Sequence, residues 1–118
     1  MHELAITQNI LDVAQTFAKN SGATQVKTVF LRVGVLRDID PQWLRRYFRY
    51  LAKDTMAEGA EVLVSVEPAV CACRACHHRF ELDLCAVAQA PVLCLQCTAQ
   101  DYELISGHEF IIAGIEAR

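Results

Sequence analysis

Four cysteines in two matched pairs are the residues whose type and spacing say most about chemistry in this chain. Cys73 and Cys76 form one Cys-x2-Cys pair, Cys94 and Cys97 form the other, and 17 residues separate the two pairs. Two intervening residues let both sulfurs of a pair turn inward on one tight loop, and this spacing between pairs is typical of zinc sites. Four thiolates in a tetrahedron are the ligand set of a closed structural Zn²⁺ site. We therefore predict a structural zinc ion held by these four residues.

Two alternatives to this zinc site follow from the same cysteines. A tetrahedral set of four sulfurs also suits iron, as in a site of rubredoxin type. The chain contains six cysteines in all, so a disulfide framework that uses every one of them is the second alternative. We interpret Cys71 and Cys85, which lie outside the pairs, as small packed hydrophobic residues. A sharper hypothesis for Cys71 is exchange into the metal's coordination shell.

The amino terminus, Met1-His2-Glu3, offers a second and different set of metal ligands. The α-amine, the amide nitrogen of His2 and its Nδ1 atom can close two chelate rings in one plane, an arrangement that favours square-planar Ni²⁺ or Cu²⁺. Glu3 or an incoming histidine could fill the fourth position. The alternative is that His2 frays in solvent and binds nothing.

Composition narrows the class of protein. The chain has 118 residues, is 53% hydrophobic and carries a net charge of −3, which fits one domain, or one domain with a small metal-stapled lobe. The acidic balance argues against nucleic acid as a partner. No apolar run approaches the ~18 residues of a membrane span, and the first residues lack the features of a signal peptide. We expect a cytoplasmic protein, where reducing conditions favour thiolate–metal chemistry over disulfides.

The elements that must position these ligands can be read from periodicity and end signals. Asp40-Pro41 is typical of a helix start, and Gly59 suits a left-handed cap at a helix end. The patterns predict, in chain order, a helix over 4–20, a strand over 26–35, a helix over 41–57, a strand over 61–67 and a final strand over 110–115.

Each predicted helix carries an apolar stripe. In the first helix the stripe consists of Leu4, Leu11, Ala14, Phe17 and Ala18. In the second helix it consists of Leu44, Tyr47, Phe48 and Leu51, and the basic residues of that helix are Arg45, Arg46, Arg49 and Lys53. Such a basic face is usually solvated, and the sharper interpretation is a docking patch for an acidic partner.

The cysteine-rich segment has too few apolar residues to form a hydrophobic core of its own, so we expect it to need a bound metal to fold. The final strand is too apolar to remain exposed to solvent, and we expect it to return and pair with the first sheet. The predicted fold is α+β: a small sheet with two helices, formed by residues 1–69 and 105–118, and an inserted zinc-ribbon-like lobe over 70–104.

With both metal-ligand sets identified, the chain resembles the HypA/HybF family of hydrogenase nickel-incorporation proteins over nearly its full length. The two Cys-x2-Cys pairs alone are common, but joined to an N-terminal Met-His-Glu they are specific. The other segments that carry the resemblance are Met1-His2-Glu3-Leu4, Val33-Gly34, Ala57-Glu58-Gly59-Ala60 and Gly107-His108-Glu109-Phe110. The chain departs from the family at Val35, a position where the family often has a polar or acidic residue. It also has His77 and Thr98 directly after the two cysteine pairs, where glycine commonly relaxes a zinc knuckle.

The resemblance implies a nickel metallochaperone that catalyses nothing. Met1, His2 and Glu3 would carry the nickel in transit, and the two cysteine pairs would hold structural zinc. The implied partners are a nickel-handling GTPase (HypB-like) and the hydrogenase large subunit, with urease maturation proteins for some members and a homodimer as a further state. The alternative function is a zinc-ribbon module that binds protein or nucleic acid and transfers no nickel.

Overall fold

The computed structural model describes residues 3–82, 93–94 and 96–118, and of Glu3 only the backbone. Among these residues there are two α-helices and six strands, and the strands form two three-stranded sheets. None of the helices among these residues is long and apolar enough to cross a bilayer. The elements in chain order are α1 (Glu3–Asn20), β1 (Val26–Gly34), α2 (Pro41–Leu51), β2 (Glu61–Glu67), β3 (Val70–Cys73), β4 (Arg79–Glu81), β5 (Tyr102–Ser106) and β6 (Phe110–Ala117).

The first sheet has the strand order β2-β1-β6, with β1 in the centre. β1 runs parallel to β2 and antiparallel to β6, so the final strand returns to the first sheet as predicted. Two parallel neighbours need a crossover connection. Here that connection contains α2, which packs beside α1 on the sheet. The predicted α+β class, with two helices and a small sheet, is confirmed.

The main core lies between the two helices and one face of β1. Its largest fully buried side chains include Phe48 and Leu44 of α2 and Ile10 of α1. The predicted stripe of α1 is displaced around the helix: Leu4 and Phe17 are about half exposed, whereas Thr7 and Ile10 are fully buried. Thr7 belongs to the same face as Ile10 because residues three apart are neighbours on a helix. A hydrophobic-only pattern therefore missed the true centre of the buried face.

The predicted length of α2 is wrong at its carboxyl end, since the helix ends at Leu51 rather than near residue 57. The Thr55 hydroxyl donates to the carbonyl of Ala52 and accepts from the N–H of Ala57. Asp54 adopts a left-handed backbone with φ 63°. These side-chain bonds give the backbone an alternative to the helix, which ends it early. Gly59 is left-handed as predicted, at φ 79°, but it serves a turn before β2 rather than the helix cap.

The second sheet has the order β4-β3-β5 and is antiparallel throughout. We refer to β3, β4, β5 and the two Cys-x2-Cys turns as the cysteine lobe. The chain enters the lobe after β2 and leaves it before β6, so the lobe is inserted between two strands of the first sheet. This insertion was predicted from the apolar character of the final strand.

Candidate metal centre

Two turns with the same backbone hydrogen bonds carry the four cysteines. In the first, the carbonyl of Cys73 accepts from the N–H of His77, at 2.9 Å. In the second, the carbonyl of Cys94 accepts from the N–H of Thr98, also at 2.9 Å. The N–H groups of Cys73 and Cys94 in turn donate to the carbonyls five residues ahead. The sequence repeat Cys-x2-Cys is therefore a repeat of backbone structure.

The residue after each pair has a left-handed backbone, with φ 64° at His77 and 60° at Thr98. These are the two positions at which glycine commonly relaxes a zinc knuckle. Glycine adopts this conformation freely, whereas a side chain is strained by contact with the backbone. The departure noted in the sequence thus leaves the turn geometry intact at a cost in conformational energy, highest for the β-branched Thr98.

The four sulfurs meet at one point of the lobe. All lie within 4.8 Å of one another, and two of the distances between the turns are 3.5 Å, from Cys73 Sγ to Cys97 Sγ, and 3.6 Å, from Cys76 Sγ to Cys94 Sγ. A tetrahedral zinc ion with Zn–S bonds of about 2.3 Å separates its sulfurs by about 3.8 Å. The arrangement fits such an ion, and the cysteines among the described residues form no disulfide.

The backbone around the sulfurs favours thiolates at two of the four positions. The N–H of Cys76 lowers the pKa of the Cys73 thiol. Burial opposes ionisation of Cys94, but N–H groups of Cys97 and Gln96 outweigh it and lower the pKa of Cys94 to about 6. Gln96 N lies 3.4 Å from that sulfur. A metal ligand must be a thiolate, so these N–H groups stabilise the coordinating form.

The other two sulfurs feel the charge of their neighbours. The N–H of His78 favours a thiolate at Cys76, but burial and the nearby sulfurs outweigh it and raise the pKa of Cys76 to about 12. The pKa of Cys97 is also raised: the N–H of Ala99 lowers it, and the sulfur of Cys73 contributes most to raising it. Four thiolates therefore repel one another unless a cation lies between them, which is the condition that a divalent metal satisfies.

A small apolar cluster supports the metal-binding turns. Cys71 is fully buried beside Phe80 and Tyr102, whose rings meet edge to face with centroids 5.8 Å apart. Burial raises the pKa of the Cys71 thiol, so this sulfur stays protonated. Cys71 is not part of the four-sulfur group. Its interpretation as a packed hydrophobic residue fits this environment.

The amino-terminal ligand set falls at the edge of the described residues. Met1 and His2 lie outside the described residues, and Glu3 is the first residue of α1. Cys85 also lies outside the described residues. Of the remaining histidines, His77 forms part of the first cysteine turn and His78 stacks on Phe80, with ring centroids 6.4 Å apart.

The junction between the first sheet and the lobe is a site that the sequence reasoning missed. A Cβ atom on Gly34 would lie 2.1 Å from the carbonyl carbon of Gly107, so only glycine fits there. The N–H of Leu36 donates to Gly107 O at 2.7 Å, and Arg37 Nε donates to His108 O at 2.6 Å. The sequence signal for this junction was a pair of motifs, Val33-Gly34 and Gly107-His108, whose backbones lie in contact here.

Glu109 completes this junction. Its carboxylate accepts from the N–H of Gly107 at 2.7 Å, and its carbonyl accepts from the N–H of Gly34 at 2.7 Å. The N–H groups of Glu109 itself and of Gly107 lower the pKa of the Glu109 carboxyl. The ionised side chain thus holds the left-handed Gly107, at φ 116°, in place. These contacts fix the direction in which the lobe leaves the first sheet.

The sequence of this chain matches known proteins over nearly its full length. Residues 1–117 match the profile of a family described as "Hydrogenase/urease nickel incorporation, metallochaperone". A relative from Chlorobium limicola, a hydrogenase maturation factor HypA, is 36% identical over 98% of this chain and 95% of its own length. The relative of the same name from Acidithiobacillus ferrooxidans is 30% identical, and 98% of each chain is covered.

Solved structures agree in fold. The solution structure of the nickel metallochaperone HypA from Helicobacter pylori aligns with 99% of this chain and 97% of its own, at a TM-score of 0.65 and 17% identity. A second solution structure, of a HypA protein, aligns with 100% of this chain and 97% of its own, at a TM-score of 0.75 and 18% identity. On the whole-length sequence match, this chain belongs to the HypA family of hydrogenase and urease nickel-incorporation metallochaperones.

Proposed function

We propose that this protein is a nickel metallochaperone that binds Ni²⁺ at its amino terminus and delivers it for the maturation of [NiFe]-hydrogenase. The observation that carries the proposal is the family match from residue 1 to residue 117, which includes both ligand sets. The four-sulfur group supports it by fitting a resident zinc ion that is separate from the transported metal.

The zinc site and the nickel site would have different roles. Cys73, Cys76, Cys94 and Cys97 would hold zinc as a closed set, with three of the sulfurs on residues that are buried or half-buried. Zinc in such a site stabilises the fold and does no chemistry. A closed cage of thiolates cannot release its metal readily, so the transported ion needs a different and more open site.

Met1, His2 and Glu3 would form that open site. Their donors are nitrogen and oxygen atoms, which suit Ni²⁺ in a planar arrangement. The helix α1 begins at Glu3, directly after the two residues that would supply the nitrogen donors. Donors at a chain terminus can leave the metal one at a time, which transfer to an acceptor requires. We propose no catalytic reaction for the protein.

The proposed partners follow from this function. They are a HypB-like nickel-handling GTPase, the hydrogenase large subunit and, through the urease branch of the family, urease maturation proteins. We further propose a cytoplasmic location, a homodimeric state, and a division into a nickel-binding domain (1–69 and 105–118) and a zinc-binding lobe (70–104).

Metal content of a His2→Ala variant tests this proposal. Purified wild-type protein should bind one Ni²⁺ in addition to one Zn²⁺, as counted by native mass spectrometry. His2→Ala should lose the nickel and keep the zinc, because only the terminal site loses a donor. His108→Ala, which changes a histidine far along the chain, is the matched control and should keep both. Nickel retained in His2→Ala at unchanged affinity would contradict the terminal site.

A further inference from the structure

One surface of α2 has a composition that neither metal site explains. We refer to Trp43, Arg46, Tyr47, Arg49 and Tyr50 as the α2 face. Leu44 and Phe48 turn into the core, which leaves Trp43, Arg46 and Tyr50 on the outer side of the helix with the half-buried Tyr47. Arg49 follows Arg46 by three residues and lies at the edge of this set, towards Glu61. Tyr50 is 76% exposed and Trp43 is 45% exposed. Large aromatic rings held in water at this density are unusual on a surface without a partner.

The aromatic and basic side chains of the α2 face are organised against one another. The rings of Trp43 and Tyr47 have centroids 5.7 Å apart, and the Arg46 guanidinium carbon lies 4.7 Å from the centre of the Trp43 ring. Tryptophan, tyrosine and arginine are the residue types that dominate the binding energy of protein interfaces. Their mutual contacts hold them in place before a partner arrives, which lowers the entropic cost of binding.

The charge of this surface is unbalanced. The segment from Pro41 to Lys53 contains four basic residues and no acidic one, in a chain whose net charge is −3. Across the described part of the chain, the only side-chain ion pair joins Arg74 to Asp101, so Arg46, Arg49 and Lys53 have no carboxylate partner there. Arg45 alone of the basic residues is engaged, through Nε to the carbonyl of Val62 at 2.9 Å.

A groove with both apolar and acidic lining residues adjoins the tryptophan end of the face. It has a volume of about 480 Å³, and its lining includes Trp43, Ile39 and Val66 together with the carboxylate-bearing Asp38 and Asp40. Val66 is 55% exposed although it belongs to a strand of the first sheet. Ile39 and Val66 can contact an aliphatic side chain of a partner. Asp38 and Asp40 would repel a carboxylate, so the carboxylates of the partner must lie over the arginines on the other side of Trp43.

We propose that the α2 face and this groove form a docking surface for an acidic segment of a partner protein that carries aliphatic side chains among its carboxylates. The proposal does not depend on nickel binding. Charge complementarity identifies the acidic partner, and the groove identifies the aliphatic component. A protein is favoured over nucleic acid or an anionic membrane because the chain has a net charge of −3, which disfavours the approach of a long polyanion.

The single tryptophan of the chain makes the proposal measurable, since Trp43 emission reports on the α2 face alone. The probe is a twelve-residue peptide of four Glu-Glu-Leu repeats, which has no aromatic residue. Carboxylates that bind Arg46 will alter its contact with the Trp43 ring. We expect a saturable change in emission that weakens as NaCl rises from about 50 to about 500 mM, because salt screens exposed charges.

Matched charge reversals locate the binding. Arg49→Glu should weaken the binding of the acidic peptide about fivefold or more, because it replaces electrostatic attraction by repulsion. Lys19→Glu, which makes the same change of charge on exposed α1, should leave the affinity within twofold. Tyr50→Ser keeps the charge and should also weaken binding. Circular dichroism and zinc content confirm that each variant is folded.

The competing outcomes are separate. A Lys-Lys-Leu peptide that binds as well as the acidic one, equal weakening by Lys19→Glu and Arg49→Glu, or no saturable response to the acidic peptide would overturn the proposal. Tighter binding of a twelve-base-pair DNA duplex or of phosphatidylserine vesicles than of the acidic peptide would also overturn it, by assigning the surface to another class of partner.

Discussion

The helix-covered first sheet and the cysteine lobe solve the same problem, a stable fold, by different physical means. The first buries a continuous set of aliphatic and aromatic side chains between two helices and β1. Among the residues of the lobe that the structure describes (70–82, 93–94 and 96–106), the buried set is much smaller and consists of Phe80 and three cysteines, Cys71, Cys73 and Cys94. The difference indicates that the first sheet is stabilised by hydrophobic burial and the lobe by its metal.

Zinc removal should separate the two regions most clearly. Binding of structural zinc is worth about 10–16 kcal/mol of apparent free energy, which is large beside the small buried cluster among the described residues of the lobe. Chelation, or Cys94→Ser, should therefore unfold the lobe while the first sheet stays folded. Two-dimensional NMR resolves this as loss of dispersed amide signals from β3, β4 and β5, while the signals of the first sheet remain.

Cys71→Ser is the matched control for this experiment. It alters a fully buried sulfur of the lobe that is outside the four-sulfur group. The variant should keep its zinc at reduced stability, at a cost of about 1–3 kcal/mol for the buried hydroxyl. If the chelated protein kept a folded lobe, the proposed role of zinc would be wrong.

Phe48→Ala should have the opposite selectivity. Phe48 is among the largest fully buried side chains of the first core, and its truncation should lower the free energy of unfolding of that region by about 3–5 kcal/mol. Chemical denaturation followed by circular dichroism measures the loss. Zinc content should not change, and Tyr50→Ala on the exposed side should cost less than about 0.5 kcal/mol. Equal losses in both variants would refute the assignment of the core.

Gly34→Ala tests the junction that joins the two regions. The added Cβ would overlap the backbone of Gly107, so the junction must open, at an expected cost of about 1–3 kcal/mol. Residual dipolar couplings should show a changed orientation of the lobe, with both regions folded. Gly114→Ala adds the same atom to β6 at an ordinary 3.6 Å from Phe30 and should change neither quantity. An unchanged orientation in Gly34→Ala would exclude a positioning role for this contact.

Thr98→Gly should have the smallest effect, and a stabilising one. Relief of the left-handed strain of about 1–2 kcal/mol exceeds the entropic cost of glycine, about 0.5–1 kcal/mol, so the zinc affinity of the lobe should rise slightly. His77→Gly should gain less, because histidine tolerates this conformation better than a β-branched residue. Competition with a zinc-sensitive dye measures both. A loss of affinity in Thr98→Gly would show that its side chain is needed.

The sequence predicted what depends on local signals. Asp40 caps α2 through a bond from the N–H of Gln42 at 2.9 Å, where the Asp-Pro signal placed it. The two cysteine pairs also converge as their spacing indicated. In contrast, the end of α2 depends on side-chain bonds around Thr55, and the buried position of Thr7 depends on packing. Periodicity of hydrophobic residues contains neither kind of information.

Contacts between distant segments were the least predictable part of the molecule. The parallel pairing of β1 with β2 and the approach of Gly34 to Gly107 join residues far apart in the chain. The apolar character of the final strand predicted that it returns to the first sheet. No local pattern predicts the register of its pairing with β1 or the hydrogen bonds of Glu109. The aromatic character of the α2 face was visible in the sequence, whereas the contact between Arg46 and Trp43 required coordinates.

The central claim, that the terminal amine and His2 bind the transported nickel, is tested most directly by moving the terminus. Nickel affinity is measured by isothermal titration for the native chain and for a chain with one extra residue before Met1, each loaded with zinc. The account predicts that the extension abolishes tight nickel binding and leaves zinc content and fold unchanged. Equal nickel affinity in the two chains would contradict it, because the amine of Met1 would then not be a ligand.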